Sequence, residues 1–163
     1  ICKMQLKDYK GAEDFLLQVT SRNHDYIKGH LYLARNYAQM DKLTEEGIAY
    51  KKVIELIADS TDKFKTELSE AYGFDGYSKF LIGSKLPNDK PEERERIYND
   101  AVKSLKKALE FDDASIQNNL LLAQLYQNMN KKEEAIKQYR KVLKLDPKNS
   151  EAKKGLEILD PKK

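Results

Sequence analysis

The sequence predicts an all-α chain of antiparallel helix pairs, and three observations carry that expectation. Leucine, alanine, lysine and glutamate, which favour helix over strand, dominate 163 residues that include only seven glycines and four prolines. Around residue 120 a small side chain precedes an aromatic by about one turn, twice: Ala123-x-x-Tyr126 and Ala135-x-x-x-Tyr139, closed by Pro147. Small residues let two helices touch, and the tyrosines fill the space on either side. The spacing also recurs. Ala12-x-x-x-Leu16 returns 34 residues later as Glu46-x-x-x-Tyr50, and Ala101-x-x-x-Leu105 returns 34 residues later as Ala135-x-x-x-Tyr139. From Glu46 to Ala101 the interval is one such period plus 21 residues, so one copy carries insertions. A fixed period of this length is the mark of a helical repeat array.

Taken in order, residues 1–6 read as the last turns of a helix, and Lys7-Asp8 turns the chain. Residues 9–21 form the returning helix, with Ala12, Phe15, Leu16 and Val19 on one face. Asn23 or Asp25 can cap the next helix, 26–40, which carries His30-x-x-Leu33-Ala34-x-x-Tyr37. Thr44 then caps a helix to about residue 58 with Ile48, Tyr50, Val53, Ile54 and Ile57 inward. Glu46 stands where a small residue is expected, and Gly47 beside it supplies the close approach instead. A long helix over about 62–82 follows, aligned as Tyr72-x-x-Asp75-Gly76-x-x-Lys79. Gly73 and Gly76 each cost that helix about 1 kcal/mol relative to alanine, and close helix contact is the expected compensation. A turn-rich loop over 83–91 leads to a helix over 92–111 whose first turn is acidic, as the helix dipole favours. Its buried stripe is Ile97, Ala101, Leu105, Ala108 and Leu109. After Pro147, Asn149 or Ser150 caps a last amphipathic helix to about residue 159, with Ala152, Leu156 and Leu159 inward.

The stretch Asn119-x-x-Leu122-Ala123-x-x-Tyr126, Ala135-x-x-x-Tyr139 and Leu145-Asp146-Pro147 resembles the tetratricopeptide repeat, patterned W-x2-L-G-x2-Y, A-x3-F and P. Asn119 replaces the tryptophan, while Ala123 and Tyr139 are conservative stand-ins. The resemblance extends over nearly the whole chain and implies one right-handed superhelical array, a TPR α-solenoid. Its parts are a truncated repeat (1–25), a repeat (26–60), a repeat with insertions (61–113), a repeat (114–147) and a capping helix with its tail (148–163). Because Ile1 falls inside a repeat, the chain is expected to be a piece of a longer protein.

The chemistry of an enzyme is not signalled. There is no G-x4-G-K-[ST] or G-x-G-x-x-G loop, and Cys2 is the single cysteine. His24 and His30 are six apart, not at the spacing that sets two metal ligands on one helical face. His30 reads as a packed residue and His24 as part of a turn. Paired carboxylates such as Glu45-Glu46, Glu92-Glu93, Asp112-Asp113 and Glu133-Glu134 sit at helix ends or on exposed faces, where dipole and solubility explain them. No cofactor is expected. With 30 basic against 27 acidic residues interspersed along the chain, a nucleic-acid surface is not expected either. No apolar run reaches membrane-spanning length.

The resemblance places function on the faces of the first helices, which line the concave groove of such an array. The groove-facing candidates are Lys28, Leu31, Arg35 and Gln39 in one repeat, and Glu70, Tyr77 and Phe80, with Leu81 alongside, in the next. In the fourth repeat they are Gln117, Leu120, Gln124, Gln127 and Asn128. Glutamine and asparagine both donate and accept, which suits the backbone of an extended peptide. Lys28 and Arg35 suit acidic side chains or a terminal carboxylate. The carboxylate clamp of some family members needs cations where this chain has Gln117, Gln124 and Gln127. The expected function is thus a non-catalytic scaffold for a protein or peptide. The alternative is a docking or oligomerisation appendage of a larger protein. A third possibility, polyanion binding through Lys103, Lys106, Lys107, Lys137 and Lys141, predicts steep salt dependence.

Overall fold

A computed structural model describes residue 4 and residues 7–57 and 63–161. Among them lie eight helices and no strand: α1 (Tyr9–Arg22), α2 (Ile27–Gln39), α3 (Leu43–Ile57), α4 (Lys65–Lys85), α5 (Pro91–Phe111), α6 (Ile116–Asn128), α7 (Lys132–Leu145) and α8 (Ser150–Leu159). The chain divides into two compact units, Ile1–Asp75 and Gly76–Lys163, and α4 contributes to both. The expected helical turns at 1–6, apart from Met4, and the helix ends at Ala58 and Asp62 fall outside the described residues.

In the first unit α2 packs on both α1 and α3. Its core is Ala12, Leu16, Leu31, Leu33, Ala34, Tyr37, Ala49, Tyr50, Val53, Ile57, Leu68 and Ala71. Two expected core residues point elsewhere. Phe15 is 56% exposed, because α1 turns Glu13 and Thr20 inward beside Ala12 and Leu16. Glu13 is accepted there because Lys10 (3.0 Å) and Lys42 (2.8 Å) both bind its carboxylate, holding it below the usual carboxylate range. Thr20 satisfies its hydroxyl on the Leu16 carbonyl at 3.0 Å. Ile48 is 66% exposed, since α3 buries the positions 46, 49, 50, 53 and 57 instead. A helix can bury only one such stripe.

The second unit has a contiguous core from Tyr98, Ala101, Leu105, Leu122, Ala123, Leu125, Tyr126, Ala135, Tyr139, Val142 and Ala152, with Phe80, Leu156 and Leu159 packed against it. Gly76 is required by proximity. A methyl group there would fall 2.6 Å from Leu105 Cγ and 3.2 Å from the Ala101 carbonyl oxygen. Gly155 likewise leaves room for the Tyr139 ring, which a methyl would overlap. Gly47 makes no such approach, its nearest neighbour being Phe74 at an ordinary 3.7 Å.

The helix ends follow local chemistry. Asp8 caps α1 by accepting from the Gly11 N–H at 2.9 Å, Ser115 caps α6, and Asn149 caps α8 by accepting from the Ala152 N–H at 3.0 Å. Neither Asn23 nor Asp25 caps α2, which starts after Tyr26 without a side-chain bond, and Thr44 lies inside α3. The 34-residue period is visible in the backbone too. Lys7 (φ 60°) and Asp41 (φ 55°) occupy equivalent left-handed turns one period apart, and Asn130 (φ 56°) takes the same place between α6 and α7. Asp and Asn tolerate that conformation better than most side chains.

Candidate partner-binding faces

In the first unit α2 presents Lys28 and Gln39 to solvent. Leu31 is not available to a partner: it is 4% exposed and belongs to the core. Arg35 is half-exposed, but its guanidinium is already engaged. Nε donates to Glu70 Oε1 at 2.7 Å and Nη2 to Glu70 Oε2, a bidentate ion pair between α2 and α4. Tyr50 on α3 donates its hydroxyl to the same Glu70 Oε1 at 2.8 Å. Burial and the Glu70 carboxylate push that phenol above its ordinary range, so it stays a donor. The Tyr50 ring stacks on Phe74 with centroids 4.8 Å apart.

Glu46 lies beside this cluster and is only 8% exposed. Its burial, and secondarily the nearby Glu70 charge, push its carboxyl up to about 7. The N-terminal turn of α3 opposes that shift, since the helix dipole favours a carboxylate there by about 0.3–1 kcal/mol. Desolvation outweighs it. Only one signal in the sequence pointed to this burial: a carboxylate standing in a slot that asks for a small side chain.

In the second unit Tyr77 is 42% exposed. Phe80 is taken up by packing, stacked on Tyr98 at 5.9 Å and set against the core, so it offers a partner little. On α6, Gln117 and Asn128 are exposed, while Leu120 packs against the core. Gln124 donates to Glu151 at 3.0 Å, and its backbone carbonyl accepts from Asn128 Nδ2 at 2.8 Å. Gln127 accepts the Tyr139 hydroxyl at 2.7 Å, which leaves its amide hydrogens for another acceptor. His30 ring nitrogen Nε2 lies 2.9 Å from the His24 carbonyl oxygen, in a local turn contact. Among the described residues no three His, Cys, Asp or Glu side chains gather as metal ligands, and no helix is long and apolar enough to cross a membrane.

The helix pair α6/α7 with its turn into α8 matches a family profile described as "Tetratricopeptide repeat", over residues 116–149. The chain carries a tetratricopeptide repeat. Solved structures extend the likeness of fold to nearly all of it. A crystal structure of MamA is 19% identical and covers 96% of this chain and 80% of its own, with TM-score 0.75. TTC0263, a thermophilic TPR protein of Thermus thermophilus, is 15% identical over 96% of this chain and 75% of its own, with TM-score 0.66. The Arabidopsis OM64 TPR domain is 14% identical over 82% of this chain and 93% of its own, with TM-score 0.63. No curated protein sequence matches the chain. The tetratricopeptide-repeat fold is generally a non-catalytic scaffold for protein–protein interaction, which makes proteins the expected class of partner.

Proposed function

We propose that this chain is a non-catalytic scaffold that holds a peptide or protein segment against the open faces of its first helices. The observation that carries the reading is the row of amides on α6. Gln117 and Asn128 are exposed, and Gln124 and Gln127 are half-exposed with donors and acceptors in both directions. Amides spaced along one helix suit the alternating N–H and C=O groups of an extended backbone, and they do so without demanding a charged side chain from it. In the first unit Lys28 and Gln39 remain open, whereas Arg35 is occupied by Glu70. An acidic terminus is therefore not the favoured ligand.

The experiment is a peptide-display selection against the whole chain, followed by affinity measurement on the peptides recovered. Replacing Gln117, Gln124 and Asn128 together by alanine should weaken binding at least tenfold while the helical circular-dichroism signal is kept. Unchanged affinity in the folded triple variant rejects the α6 face as the site.

A further inference from the structure

We infer that the first unit contains a proton-linked latch, in which Glu46 on α3, set beside Glu70 on α4, lets α2, α3 and α4 close when it carries a proton and loosens them when it does not. The geometry begins with position. The residues equivalent to Glu46 are Ala12, Ala101 and Ala135, all buried, so the helix crossing is built for a methyl group. Glu46 keeps a carboxyl in that place at 8% exposure, and among the described residues its side chain has no hydrogen-bond or ion-pair partner.

The charges of the cluster, and Lys42 one turn before Glu46, are already committed. From α2, Arg35 gives both arms of its guanidinium to Glu70. From α4, Glu70 has both oxygens taken, by Arg35 and by the Tyr50 hydroxyl of α3. Lys42, in the turn before α3, is drawn away to Glu13 of α1 at 2.8 Å. With Glu46 neutral the cluster holds one cation and one anion. Ionised, it adds a second anion one turn before Tyr50 on α3, next to a carboxylate that Arg35 and Tyr50 already hold. The carboxyl of Glu46, pushed up to about 7, supports the same picture. For an acid raised in the folded state, the closed form is fully favoured below the ordinary carboxylate range, and that advantage is lost as pH rises toward 7.

The test is amide hydrogen exchange on the whole chain at pH 5 and pH 8, corrected for the intrinsic pH dependence of exchange. Amides of α2 and α3 should open about tenfold or more readily at pH 8, with α6 and α7 as the internal reference. Glu46→Gln, which keeps the shape and cannot ionise, should abolish the difference; Glu46→Ala, which restores the methyl of the equivalent positions, should do the same. A wild-type chain with equal opening at both pH values overturns the inference. So does a pH dependence that survives either substitution, or a loss of protection at both pH values in both variants, which makes the carboxyl a structural group and not a switch.

Discussion

In the second unit the helices of the pair α6/α7 carry Ala123 and Ala135 at the small-residue positions, both wholly buried; in the first unit the same two positions of α2/α3 are Ala34 and Glu46. The tyrosine one turn on differs in its partner in the same sense. Tyr139 donates to the neutral amide of Gln127, and Tyr50 donates to the charged carboxylate of Glu70. The link to the following first helix differs too: Gln124 to Glu151 by one hydrogen bond, Arg35 to Glu70 by a bidentate ion pair. One hairpin is thus dry and neutral where the other is charged. The lesson is that the same crossing can hold a methyl group or a carboxyl, and that the carboxyl of Glu46 is held there without a donor of its own, pushed up to about 7 by its burial.

Exchanging the two chemistries tests that lesson most severely. Ala135→Glu places a carboxylate at a site with no exposure, lined by the apolar core, and should cost about 3–5 kcal/mol at pH 7, the range for an uncompensated buried charge. Thermal unfolding reads it; a loss below about 1 kcal/mol means that the crossing yields freely and that a carboxyl there costs little in either unit. Ala123→Leu attacks the same crossing by volume alone. Overpacking there should cost about 1–3 kcal/mol, without the pH dependence that the glutamate variant shows.

How much of this was legible in the sequence follows the same division. The α6/α7 hairpin could be read because its signals are local: Ala123, Tyr126, Ala135 and Tyr139 lie within two helices and a short turn. At Gly76 the cost of a helical glycine led to the expectation of close helix contact, but its partners, Leu105 and Ala101, are seen only in the structure. What escaped was decided across helices distant in sequence. Hydropathy placed Phe15 inside, yet Phe15 is exposed and Glu13 is buried by virtue of Lys42, 29 residues on. Arg35 looked like a free cation until Glu70, 35 residues away, claimed it. Leu31 looked open because one helix read alone does not show what covers it, and it is core. Ile48 looked buried for the same reason.

The links to the next helix give the two smaller tests. Arg35→Gln leaves Glu70 without its guanidinium and beside Glu46, so stability should fall by about 1 kcal/mol at pH 7, the figure being held down because the pair is partly open to solvent. Between pH 7 and pH 5 the loss should shrink, since Glu46 regains its proton and removes one of the two repelling charges. A cost that stays constant with pH separates Arg35 from Glu46. Gln124→Ala, at the corresponding place in the second unit, removes a single bond to an exposed glutamate. Its effect on the melting transition should stay within about 0.5 kcal/mol, while any peptide held on α6 should be released faster. That pairing of a silent melt with a faster dissociation is what a residue kept for contact shows. A melt that falls as far as for Arg35→Gln instead makes Gln124 a second structural link, and leaves Gln117, Gln127 and Asn128 to carry the face.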